Sequence, residues 1–401
     1  WQRLDGRAGL EMNAVKRLLA TLMVALALVT TPLISAAQSN DELAQANFQT
    51  VIDDLNDNSF KGFQEAIDKQ ALLGRVIGAY LIEPEVRDQL SSLFEEWVQE
   101  LFIAAFPPSQ SEILGTVVAF EGYGDSAGAL VRFESSGYRF AYHMYELTVA
   151  PNGRIGIVDW TDYYQGGLFS EDAAESFVRT LPSQQATQQL LENKNVDEGQ
   201  LFQVSEMLKA ARDNSHPRFF SIYDAMEEPL KSERVVVRLN LQMTQTWNDR
   251  ARQGRAIETV AAEFPNDPLF SQRLIGFFIL TNQFERAITE LETLQKGLGV
   301  VDGATESLKA TAAMALGDTE RAEAFAVNAT QVEPDLELAW WSLLRVRTAA
   351  EDYAGATEAM TQLEDQFGHL LIPQKLQRDR FLRGLVTQQE YMDWRAERDA
   401  N

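Results

Sequence analysis

Three histidines, His143, His216 and His369, and two aspartates, Asp159 and Asp162, are the side chains best equipped for proton transfer or metal binding. Cysteine is absent, which removes thiol nucleophiles, thiolate metal sites and disulfides together. His143 and Glu146 have an H-x-x-E spacing, but on a strand these positions face opposite ways, which is wrong for shared ligation. His216 precedes Pro217 and reads as a loop or cap residue; His369 follows Gly368 at a helix end, where a cation is favoured anyway. The stretch DWTDYY, Asp159 to Tyr164, interleaves two carboxylates with aromatic rings. Strand alternation puts Asp159, Thr161 and Tyr163 on one face and Trp160, Asp162 and Tyr164 on the other, so the carboxylates cannot act as a pair. A small-ligand pocket of His143, Asp159, Thr161 and Tyr163, or a general base within it, competes with a plain structural role for the same residues.

The usual catalytic signatures are missing. The chain has no Gly-Lys-Ser/Thr phosphate loop, no Gly-x-Ser-x-Gly elbow and no His-Glu-x-x-His pair. GYGDSAG, with glycines at 122, 124 and 128, lies between two strand-like runs and opens no helix, so it reads as a hairpin turn rather than a phosphate cradle. The expectation is a non-enzyme with no cofactor and no metal.

Composition narrows the partners. The 401 residues are 45% hydrophobic and 23% charged, an ordinary globular balance long enough for two or more domains. A net charge of −24 repels nucleic acid and bare anionic membrane. Residues 1–11 lack an initiating Met and read as upstream, non-native sequence. Residues 12–37 read as a signal peptide: Lys16 and Arg17 precede an apolar run from Leu18 to Val29, Pro32 breaks it, and Ser35-Ala36-Ala37 offers small residues for cleavage. That run is shorter than the ~20 residues of a membrane span, so no span is expected after cleavage near Ala37. An exported chain without cysteine fits the bacterial periplasm or exterior.

The elements that position these residues divide into two kinds. Residues 38–170 read as an α+β domain. Helical spacing runs through Asp41–Leu55 and Ser59–Leu81, and through 83–104 with its stripe of Leu90, Leu93, Phe94, Trp97 and Leu101. Four β-rich runs joined by short turns then predict a four-stranded antiparallel meander. In its third run Tyr138, Phe140, Tyr142 and Met144 share one face and Arg139, His143 and Tyr145 the other. Residues 171–232 read as a helical connector.

From 233 to 401 the pattern repeats. Asp318 and Asp352 are 34 residues apart, as are Ala322 and Ala356. Ala322, Ala326 and Ala329 form one helical stripe whose small side chains admit a second helix, and Pro334 stops that helix. This resembles the tetratricopeptide repeat. The unit from Glu337 matches with Trp340, Leu343, Ala356, Met360 and Leu363, with Gly368 where proline is expected. The unit from Gly303 matches with Ala310, Ala322, Ala329 and Pro334 but lacks the Trp. The unit near Pro268 supplies Leu274, Phe278, Ala287, Leu291 and Leu294. The order of helices and sheet in the first domain is similar in topology to NTF2-like, cone-shaped domains.

The fold expected is therefore α+β followed by an all-α solenoid, closed by a capping helix with Tyr391 and Trp394 on one face. The repeat resemblance implies a protein or peptide partner held in a groove. Arg273, Phe277, Lys309, Trp341 and Arg345 are positions of the first helices that packing leaves over, and Trp341 next to Trp340 is the sharpest of them. A self-associating envelope component is a third reading, and oligomeric state is not set by the sequence.

Overall fold

The computed structural model describes residues 40–79, 114–135, 139–180, 184–192, 195–247 and 249–400. The signal segment, the helix expected over 83–104 and Tyr138 lie outside the described residues.

The meander forms as strands β1 (Leu114–Gly122), β2 (Ser126–Ser135), β3 (Arg139–Val149) and β4 (Ile155–Asp162), antiparallel in sequence order. A two-residue fifth strand, β5 (Gly167–Leu168), extends the sheet beyond the expected four. The β3–β4 turn needs glycine twice over: Gly153 has φ +74°, and a Cβ there would come 2.5 Å from Leu43 Cβ.

One sheet face carries Ala129, Val131, Phe133, Tyr145, Leu147, Ile157 and Trp160 against the N-terminal helices. These are α1 (40–56), α2 (Lys61–Ala66) and α3 (Lys69–Ala79), which contribute Phe48, Ile52, Phe63, Leu72 and Val76. The helix expected over Ser59–Leu81 is broken. Ile67 turns extended to bridge Ile157, the Asp68 amide donates to Ile157 O at 2.9 Å, and Asp68 Oδ1 accepts from the Ala71 amide to start α3. The backbone bonds gained from β4 replace the helical ones lost at the break.

The connector holds α4 (Phe169–Thr180), α5 (Gln184–Leu190), α6 (Glu198–Arg212), α7 (His216–Asp224) and α8 (Glu228–Lys231). Phe169, Ala173 and Ala174 of α4 bury in the sheet's own core. His216 opens α7, with Nε2 2.9 Å from Thr246 Oγ1 and its ring stacked on Trp247.

Helical hairpins follow: α9 (Arg234–Thr246) with α10 (Arg250–Glu263), α11 (Pro268–Leu280) with α12 (Phe284–Leu298), α13 (Gly303–Leu316) with α14 (Thr319–Val332), and α15 (Glu337–Ala349) with α16 (Tyr353–Asp365). Many consecutive helices thus build a helical-repeat solenoid behind the α+β part. The equivalent aspartates do equivalent work: Asp318 caps α14 through the Arg321 amide and Asp352 caps α16 through the Gly355 amide. Ala322, Ala326 and Ala329 are fully buried where the next helix crosses. A short helix α17 (Pro373–Leu376) and a final helix α18 (Gln389–Ala400) end the array; Tyr391 and Trp394 bury, donating to Leu371 O and Thr361 Oγ1. Among the described residues no helix is long and apolar enough to cross a membrane.

Candidate functional site

The second face of the sheet is not open. Leu130 and Tyr142 join Ile275, Leu291, Leu294 and Leu298 of the repeats in one apolar cluster, and Phe140 reaches Ala304 and Leu336. Polar groups lock the seam. The buried Arg132 guanidinium reaches Asp302, Glu134 and both Glu333 carboxylate oxygens, the last at 2.6 and 2.8 Å. Tyr142 Oη–H donates to Asp302 Oδ2 at 2.5 Å, and that oxygen also accepts the Ala304 and Thr305 amides that start α13. Burial works against the Arg132 charge, but the Glu333 hydrogen bonds and the Asp302 field outweigh it and push its pKa up. Tyr142 is held protonated by burial first and the Asp302 charge second.

Three of the expected groove residues lie in different settings. Arg273 is buried, donating to Tyr164 O at 2.7 Å and Gln165 Oε1 at 2.9 Å, and burial lowers its guanidinium pKa. Lys309 is buried between Gln295 and Glu306, with Phe325 beneath it. Phe277 is half-buried, edge-on to Phe278. Neither Arg273 nor Lys309 presents its charged end to an open surface.

The small-ligand residues are divided between the two faces. His143 is buried on the helix-packed side, between the Phe133 and Trp160 rings; its Nδ1 is 3.0 Å from Tyr145 Oη and its Nε2 3.6 Å from Asp162 Oδ2. Asp159 is buried elsewhere, accepting from Ser170 Oγ at 2.6 Å and from the Ser170 and Trp160 amides, with Arg75 at 3.5 Å. Burial raises the Asp159 pKa against the opposing pull of those donors and Arg75. Tyr163 donates to Gly297 O at 3.0 Å inside the seam, and half-buried Thr161 pairs across the ladder with Met144. The four do not converge on one cavity, and among the described residues no group of three His, Asp or Glu is placed to hold a metal ion.

Trp341 and Arg345 do come together, at the C-terminal end of the array. They line a pocket of about 410 Å³ with Glu337 from α15 on one wall and His369 to Leu382 on the other. Trp341 is half-buried and donates Nε1–H to Glu337 Oε1 at 2.8 Å, and the His369 ring meets it edge-on at 5.3 Å. His369 Nε2 lies 2.8 Å from the same Glu337 oxygen. Arg345 donates Nε–H to Asp379 Oδ2 at 2.8 Å, and its guanidinium sits over the Trp341 ring at 5.7 Å. Leu370, Leu371, Leu376 and Leu382 supply apolar lining, and Lys375 and Arg378 stand exposed at the margin. Such a pocket offers apolar lining beside one ion-paired and two exposed cations. Sequence reasoning missed the second wall. The signal was there in QKLQRDRFLR, a run of cations in an acidic chain.

No family model matches the chain, and no curated protein matches it. Among solved structures it is similar to PilW, described as a widely conserved type IV pilus biogenesis factor, at 11% identity and a TM-score of 0.33, over 51% of this chain and 94% of that one. A likeness at that level says nothing of function.

Proposed function

We propose that the chain is an exported, non-catalytic protein-binding scaffold, and that it holds a peptide segment of its partner in the pocket around Trp341 and Arg345. The observation that carries this reading is the pocket itself: a Trp ring left half-buried at the end of a repeat array, beside an arginine pinned by Asp379, in a concavity of about 410 Å³. Rigid aromatic and arginine anchors in such a setting supply most of the energy in peptide recognition. The sheet is compatible with this reading, because it packs on Ile275 of α11, Leu291 to Leu298 of α12 and Ala304 of α13, and not on the pocket. Export rests on residues 12–37, and the mass of the mature N-terminus tests it.

The test is affinity capture from an envelope extract, read by mass spectrometry, with the full chain and a Trp341→Ala variant as parallel baits. A protein enriched on the first and lost from the second is the expected result. Equal enrichment on both baits, or none on either, sinks the reading.

A further inference from the structure

We infer that the pocket selects an acidic peptide segment carrying one apolar anchor residue, and that Lys375 and Arg378, outside the repeats proper, set this selectivity. The inference rests on the pocket being a peptide site and names the chemistry of what enters it.

The first observation is a local reversal of charge. In a chain of net charge −24, residues 366–383 hold Lys375, Arg378, Arg380 and Arg383 against a single carboxylate, Asp379. The second concerns pairing. Elsewhere in the array the half-buried Arg252, Arg286 and Arg321 are met by Asp224, Glu258 and Glu285, while among the described residues the exposed Arg250 and Arg255 also stand outside any ion pair. Lys375 and Arg378 pair with no carboxylate among the described residues. Of the pocket's own acids, Asp379 is paired with Arg345, and Glu337 accepts from Trp341 on the opposite wall. The third is the apolar lining. Leu370, 49% exposed, and the half-buried Trp341 line the apolar part of this open pocket.

The same charge pattern argues for a short peptide over an extended polyanion or a lipid surface. At physiological salt, fields fade over ~8 Å, so a short acidic segment senses chiefly the local cations. A nucleic acid or an anionic bilayer extends past the patch and meets the acidic remainder of the chain. An anchor against an apolar lining also has no counterpart in a phosphate backbone.

The experiment selects a random displayed-peptide library on the full chain. The best sequence is then made as a fluorescein conjugate for anisotropy. It is compared with its Asp→Asn and Glu→Gln counterpart on the wild type, on Lys375→Gln/Arg378→Gln and on Trp341→Ala, with phosphatidylglycerol vesicles as competitor. Far-UV circular dichroism checks the fold of each variant. The expected result is enrichment of Asp and Glu around a single Leu, Ile, Met or Phe. Roughly tenfold weaker binding should follow from neutralising either side, as for the loss of two charge contacts, and affinity should fall as salt rises. Neutral peptides that need Trp341 but ignore Lys375 and Arg378 overturn the acidic selectivity and leave the pocket reading standing. Failure to recover any peptide dependent on Trp341 overturns both. Vesicles that bind through Lys375 and Arg378 and displace the peptide overturn the inference in favour of a lipid surface.

Discussion

Arg132 shows how much a single side chain does here. It sits on β2, buried, and its partners Asp302 and Glu333 lie on the far side of the sheet–repeat seam. Removing it leaves those carboxylates in a partly dry site without a counter-charge. Arg132→Ala is expected to destabilise by about 3–5 kcal/mol, measured by urea unfolding, whereas Arg321→Ala on the surface should cost under about 1 kcal/mol. Little of this was legible in the sequence, because a lone arginine on a strand reads as solvent-facing and its partners are 170 and 201 residues away. The same long-range packing turned Arg273 and Lys309 inward. Their helix and face could be read; that the chain after β4 would meet one and that Gln295 and Phe325 would enclose the other could not. Trp341 drew notice in the sequence because an extra aromatic beside a packed one is a local feature.

The repeats are written in short-range signals. Alanine spacing, aspartate caps and the prolines after them act within one or two turns, so the hairpins of the array can be read from composition and period alone. Ala326 is fully buried at a helix crossing, so Ala326→Leu should overpack it and lower stability by about 1–3 kcal/mol in chemical denaturation. Asp352→Ala removes a cap bond to Gly355 and should cost about 1 kcal/mol by the same measurement. The meander was equally legible from its alternation and turns. Strand β5 was not, since two residues carry no period, and neither was the break at Ile67, which depends on a bridge to Ile157 across 90 residues of chain.

Across the whole molecule, the seam makes the α+β part and the repeats lean on each other. Apolar burial around Tyr142, Ile275 and Leu294 together with the Arg132 cluster couples them, so the described parts should unfold in one calorimetric transition. Two well-separated transitions would show that the seam contributes little. The fragment 233–401 should melt below the full chain, having lost the cover over Ile275 and the partner of Asp302. Partner binding is proposed for the pocket at the far end of the array. A photo-crosslinking residue introduced at Leu370, on the pocket margin, tests this claim most directly, with one at Leu280, 83% exposed and outside the pocket, as control. The account predicts that partner protein from the extract crosslinks at 370 and not at 280, and that Trp341→Ala abolishes the product. Equal crosslinking from both positions, or crosslinking at 370 that persists without Trp341, would contradict it.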